Sequence, residues 1–276
     1  FFASSRRDVK MLKKELPLRK QMGSEIAWLE KKEIAEKFHL EAPAALLSGL
    51  AAQVDAFQLT HALLQKIKEL GGKVFDTTTV SSIEHPKEGG IRLQTEEGFT
   101  INARKLVMAA GYESQNYLPD KKIIKLNSTY ALISKPFPEN GDLWQRNSLI
   151  WETAHPYLYL RTTADNRILV GGKDEPFYNP AKRDALLERK REKIEKEFKK
   201  LMPHLSLTTD FYWAGTFAET KDGLPYIGQI KQMPDTYFAL GFGGNGITFS
   251  VISAEIIRDN FLGKPNADEK IFSFNR

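Results

Sequence analysis

Gly241-Phe242-Gly243-Gly244-Asn245-Gly246 is the stretch of this 276-residue chain whose residue types and spacing best suit chemistry. It follows an apolar run, Thr236 to Leu240, read as a buried strand. It precedes Ile247 to Leu262, read as a helix closed by Gly263 and Pro265. The spacing is formally that of a dinucleotide phosphate loop, G-x-G-x-x-G. That use demands a second strand and a ribose-binding acid after the helix. Only a polar tail follows here, so the pyrophosphate reading fails. What survives is a bare backbone that a planar ligand can approach, with the N–H groups and positive dipole end of the next helix aimed at an electron-rich edge. The same glycines also suit a tight turn for helix–strand packing, and the loop alone does not choose between the two.

A flavin has such an edge, because accepted hydride gathers negative charge at its N1 and C2 carbonyl, where helix N–H groups stabilise it. Competing chemistries are poorly supplied. The chain has no cysteine, which removes disulfides, thiolate metal sites and cysteine nucleophiles. Its five histidines, His39, His61, His85, His155 and His204, do not fall at metal-ligand spacing. No metal site and no catalytic side chain are assigned. The net charge is +5, but cations in 182–200 alternate with acids as on a solvated helix face, and no basic patch interleaves with stacking aromatics. Nucleic acid is therefore not an expected partner. With 41% apolar and 27% charged residues and no apolar run of bilayer length, the composition is that of a folded protein without a transmembrane segment. The chain opens on Phe1-Phe2 with neither an initiator Met nor a signal peptide, and reads as a cytoplasmic protein cut from a longer one.

The elements that must position the loop are read from periodicity. Residues 6–39 carry Met11, Leu12, Ile26, Leu29 and Ile34 at helical spacing, broken near Pro17 and Gly23. Leu59, Leu63, Ile67 and Leu70 form the apolar stripe of one helix that stops at Gly71-Gly72. Lys73-Val74-Phe75 reads as a short strand, 79–84, 91–95 and 99–102 as a meander, and Lys105 to Gly111 as a buried parallel strand ending on small residues. Segments 126–134, 148–152, 157–161, 167–171 and 210–217 read as longer strands, with one helix from about Pro180 to Leu201.

Several of these segments together resemble the D-amino-acid oxidase / glycine oxidase family of FAD-dependent oxidoreductases. They are Val54-Asp55-Ala56-Phe57-Gln58-Leu59, Val107-Met108-Ala109-Ala110-Gly111, Trp213-Ala214-Gly215 with Lys221-Asp222-Gly223-Leu224-Pro225-Tyr226-Ile227-Gly228, and Gly241 through Thr248. They occur in the family's order across about 50–265. The resemblance implies an α/β (α+β mixture) fold: an incomplete FAD-binding Rossmann-like layer from 50–118 and 221–276, an antiparallel β-sheet substrate-binding domain from 119–220, and a helical segment, 1–49, on the substrate side. In that family an amino-terminal βαβ unit with its own glycine fingerprint grips the FAD pyrophosphate, and this sequence has no counterpart to it.

By the same resemblance, Val80 would place its backbone on the adenine, Ala110 and Gly111 would pass close to the FAD, and Phe242, Gly243, Gly244, Asn245, Gly246, Ile247 and Thr248 would line the flavin's pyrimidine edge. Family members commonly carry an arginine two residues after Trp-Ala-Gly to grip a substrate carboxylate, yet this chain has Phe217 there. Arg161 is the best replacement, since strand alternation puts Tyr157, Tyr159 and Arg161 on one face and guanidinium binds carboxylate bidentately. An exposed strand arginine is the alternative. Tyr130 either supplies a hydroxyl over the flavin or is a core tyrosine with a satisfied hydroxyl. Asp174 and Glu175 either attract an ammonium group or form a polar turn.

The implied activity is oxidation of the C–N bond of an amine or amino acid by hydride transfer to FAD. A dehydrogenase passing electrons to a non-oxygen acceptor and a non-catalytic binding domain of the same fold are the alternatives. The isolated chain is expected to be inactive and to retain little FAD. Substrate identity and oligomeric state stay unassigned.

Overall fold

A computed structural model describes residues 1–119, 122–138 and 142–276. The chain forms two compact units, one of residues 1–53 with 127–216 and one of 54–126 with 217–276.

The chain begins with helix α1 (Val9–Gln21), strand β1 (Ile26–Glu30), helix α2 (Lys31–Phe38) and strand β2 (Ala44–Ser48). Two expectations fail here. Pro17 lies inside α1 without ending it, and Ile26 and Leu29, spaced for a helix, instead belong to β1, which pairs antiparallel with β2. Five residues fit either period, and pairing with 44–48 decides for the strand. Helix α3 (Ala56–Glu69) is capped by the Asp55 carboxylate, which accepts from the Gln58 N–H, and it ends ahead of Gly71 at φ +85°. Residues 73–75 are not a strand. Strands β3 (Val80–Glu84), β4 (Ile91–Thr95) and β5 (Thr100–Ala103) make the expected meander, and β6 (Leu106–Met108) follows.

Strand β7 (Ile124–Ser134) is followed by β8 (Ile150–Trp151), β9 (Leu158–Thr162) and β10 (Ile168–Pro176). Helix α4 (Pro180–Ala185) and helix α5 (Leu187–Leu201) replace the single helix expected there, and β11 (Thr209–Thr220) completes this part. Then come β12 (Tyr226–Ile230), β13 (Met233–Leu240), α6 (Gly246–Phe261) and α7 (Glu269–Phe272). The five-stranded sheet has the order β11-β7-β10-β9-β8. Its inward face carries Tyr130, Leu132, Leu158, Leu160, Ile168 and Val170, packed with Ile194 and Phe198 of α5. Strands β7, β9 and β10 thus alternate a buried residue with one facing away from α5.

In the second unit, β13 pairs antiparallel with β12 and parallel with β6, through Thr236↔Leu106, Tyr237↔Val107 and Phe238↔Met108. Ile227, Tyr237 and Ala239 pack against Phe249, Ile256 and Ile257 of α6. The result is a mixed α/β architecture with antiparallel sheets, as the sequence implies. Among the described residues no helix is long and apolar enough to cross a membrane, and no cluster of His, Asp or Glu could hold a metal.

Candidate functional site

Because β6 and β13 run parallel, their carboxyl ends open on the same margin of the sheet. The chain leaving β6 is Ala109-Ala110-Gly111, and the chain leaving β13 is the glycine loop. In open α/β sheets that margin is where ligands bind.

The loop's glycines do different jobs. Gly241 is buried at φ +79°, and an added Cβ would stand 2.6 Å from Thr220 Cγ2 and 3.3 Å from Ile124 Cγ2. It is a packing glycine. Gly243 has φ +55° and its N–H donates to the Ala218 carbonyl at 2.9 Å, which ties the loop to β11. A Cβ at Gly243, Gly246 or Gly111 would meet nothing within 4 Å. Space therefore lies open beside both strand ends.

Asn245 begins α6 without a side-chain cap. The Phe249 N–H closes the first helical turn onto the Asn245 carbonyl, so the N–H groups of Gly246, Ile247 and Thr248 have no acceptor among the described residues. Gly244, Asn245, Ile247 and Thr248 are exposed, and so are Ala110 and Gly111. Three unengaged N–H groups at the positive end of a sixteen-residue helix face open space, an arrangement that suits the anionic edge of a planar group. The residues present thus fit a flavin edge. Phe242 is half-buried and turns its ring toward Phe249, with centroids 6.3 Å apart. Val80 opens β3, in the separate meander sheet, where it pairs with Thr95. No hydrogen bond joins it to the loop among the described residues.

In the first unit, Tyr159 and Arg161 lie on the face of the five-stranded sheet opposite the core, as alternation predicts. The register aligns Tyr159 with Gly171 on β10, and Gly171 with Ala131 on β7. The Tyr159 ring lies directly over Gly171, so that any Cβ there would overlap it, and its hydroxyl reaches the Thr129 hydroxyl. Burial, then the nearby Asp174 carboxylate, push this phenol above its usual pKa, so Tyr159 stays a neutral hydrogen-bond donor. Arg161 is half-buried. Its guanidinium donates to the Thr162 carbonyl at 3.3 Å and pairs with no carboxylate among the described residues.

Tyr130 is not brought together with these residues. It points to the core face, 2% exposed, with its hydroxyl 3.4 Å from the Arg183 carbonyl and Lys190 Nζ 4.8 Å from its ring. Burial raises its pKa as well. Phe217 is half-buried in β11 and belongs to the second unit. Glu175 points toward α5 and pairs with Lys190 at 2.6 Å. Thr129 and Gly171 were missed as partners of Tyr159. The available signal was alternation: with Tyr130 and Leu132 in the core, Thr129 and Ala131 must face the other way.

The chain is similar to known proteins in sequence and in fold. The family described as DAO, FAD dependent oxidoreductase, matches residues 1–260. A glycine oxidase of Bacillus licheniformis is 29% identical over 266 residues, covering 92% of this chain and 68% of that protein. The chain thus spans about two thirds of that relative's length. Among solved structures, glycine oxidase from Geobacillus kaustophilus superposes with a TM-score of 0.83 at 22% identity, covering 100% of this chain and 73% of the other. L-proline dehydrogenase from P. horikoshii superposes with a TM-score of 0.84 at 23% identity, covering 99% and 74%. At such identities the structural likeness speaks for the fold.

Proposed function

The chain belongs to the FAD dependent oxidoreductase family, and from that premise we propose that the whole protein oxidises the C–N bond of a small amine or amino acid. FAD, when bound, supplies the hydride acceptor. The observation that carries this reading is the set of unengaged N–H groups on Gly246, Ile247 and Thr248, facing open space at the shared carboxyl margin of β6 and β13. These groups stabilise negative charge on the flavin's pyrimidine edge, while Ala110, Gly111 and Phe242 through Asn245 bound the space around it. Val80 contributes its backbone near the adenine.

The substrate is assigned to the outer face of the five-stranded sheet. Arg161, without a carboxylate partner among the described residues, is the group for a substrate carboxylate, and Tyr159 donates beside it. Phe217 leaves the usual carboxylate-gripping position apolar. No side chain is assigned to remove a proton, because an amine bound in its neutral form needs none.

We assign 50–118 and 221–276 to the flavin layer, 119–220 to the substrate layer and 1–49 to its flank. The rest of the FAD grip lies outside residues 1–276. Support comes from β6, which among the described residues pairs only with β13 and leaves Val107 41% exposed at the sheet edge, and from Phe57, Leu63, Ile67, Leu70, Val74 and Phe75, all exposed on the same unit. A further strand and helix docked there would cover this apolar surface. The isolated chain is accordingly inactive and holds FAD weakly, and tight stoichiometric FAD on it would contradict that.

The test of function uses the full-length protein. It should purify yellow and bleach when an amine or amino acid is added without oxygen, and air or a quinone then separates an oxidase from a dehydrogenase by which restores the colour faster. A colourless full-length protein, or one that no amine bleaches, would return the fold to a binding role.

A further inference from the structure

Helix α1 and the residues just before it hold an excess of positive charge equal to that of the whole chain. Between residues 6 and 20 stand seven cations, Arg6, Arg7, Lys10, Lys13, Lys14, Arg19 and Lys20, with Asp8 and Glu15 as the only acids. That local excess of five equals the net +5 of the entire sequence, so everything else balances. Both acids are engaged, Asp8 with Ser5 and Thr153, and Glu15 with Arg19 at 2.8 Å. Lys10, Lys14 and Lys20 make no ion pair among the described residues.

The inner face of α1 is accounted for: Leu12 is fully buried against Ala3 and Leu46, flanked by Val9 and Leu16. The outer face is not purely polar. Met11, Leu18 and Met22 recur at i, i+7 and i+11, which is one stripe of a helix surface, and they are 45%, 56% and 84% exposed. The exposed Lys10 and Lys14 border that stripe. Apolar side chains projecting from a cationic helix suit a partner that offers anionic groups over an apolar interior, which is the chemistry of an anionic lipid surface. An acidic protein or a nucleic acid would use the cations and leave the stripe in water, and no aromatic ring on this face offers a base a stacking platform.

We propose that α1 is a peripheral membrane-docking helix: its lysines meet acidic lipid headgroups and Met11, Leu18 and Met22 enter between them. Sedimentation of the intact protein with phosphatidylcholine vesicles, with and without phosphatidylglycerol, tests this. Binding is expected only with phosphatidylglycerol and should weaken as salt is raised. The double variant Lys10→Gln, Lys14→Gln should lose about 30-fold in affinity. The pair Leu18→Ser, Met22→Ser should also bind more weakly, at unchanged charge. All four positions are exposed, so the fold should persist by circular dichroism, and the salt titration of the unaltered protein reads the charge contribution without any variant. No partition onto the anionic vesicles would overturn the proposal. So would tight binding to polyglutamate combined with vesicle binding that is indifferent to Leu18→Ser, Met22→Ser, a result that points to an acidic protein partner instead.

Discussion

The ring of Tyr159 lies across the backbone of Gly171, and that contact is possible only because Gly171 has no side chain. A β10 residue of any other type would lift the ring off the sheet and away from Thr129. Gly171→Ala should therefore destabilise the protein by about 1–3 kcal/mol, the usual cost of overpacking. Tyr159→Phe, which keeps the ring and removes its hydroxyl, should cost only about 0.5–1.5 kcal/mol. Urea midpoints at constant m-value check the order of the two.

Gly241 combines a left-handed backbone with a filled site. Gly241→Ala meets Thr220 and Ile124 as well as the strain of φ +79°, so a loss of about 2–4 kcal/mol is expected from backbone and overpacking together. Thermal unfolding of the variant beside Gly243→Ala, where no atom lies within 4 Å, separates crowding from strain. The second substitution should cost less, since it carries the strain alone.

Lys190 and Glu175 should respond unequally to mutation. The Lys190 ammonium is 7% exposed and has Glu175, the Lys173 carbonyl at 2.5 Å and the Tyr130 ring as company, whereas Glu175 is 44% exposed. Glu175→Gln strands a buried cation and should cost about 2–4 kcal/mol, whereas Lys190→Met leaves a carboxylate that water can solvate and should cost less. Denaturation midpoints for the two single variants decide the order.

Much of this architecture was legible from spacing. The α3 stripe and its stop at Gly71 followed from local rules, and the meander 80–103 followed from alternation and turns. What periodicity could not supply was the partner. Leu63, Ile67 and Leu70 were correctly placed on one helix face, yet that face is exposed. Val74 and Phe75 have strand propensity but no strand beside them. Residues 26–30 were read as helix because Ile26 and Leu29 fit both periods, and only β2 decides. Strand β12 was missed because Gly228, at φ +129°, and the turn at 221–223 just before it obscure its alternation. At the site, the loop's location between strand and helix was readable. The division of labour among its glycines was not, because it depends on Thr220 and Ile124, distant in sequence.

Asp222 gives a pH signature. Hydrogen bonds from the Arg276 guanidinium, then the Leu224 N–H and the Thr220 hydroxyl, hold its carboxyl well below the usual range. A folded pKa below the unfolded value means that the contribution is present above about pH 4, the unfolded carboxylate range, and is lost as pH falls toward the folded value. The pair is partly exposed and the effect should be modest and weakened by salt. Asp222→Asn should flatten the decline in stability below about pH 4, and acid titration of the melting temperature for both proteins reads it.

The account turns on the N–H groups of Gly246, Ile247 and Thr248 facing a flavin, and Gly246→Ala in the full-length protein tests it most directly. The added methyl meets no protein atom within 4 Å, so it should leave the unfolding midpoint within about 0.5 kcal/mol of the parent. It would nonetheless project toward the open space beside those N–H groups. FAD affinity, measured by quenching of flavin fluorescence, should fall about tenfold or more, which is roughly 1.4 kcal/mol. Unchanged FAD affinity in a stable Gly246→Ala protein would mean that the flavin edge lies elsewhere and would contradict the assignment.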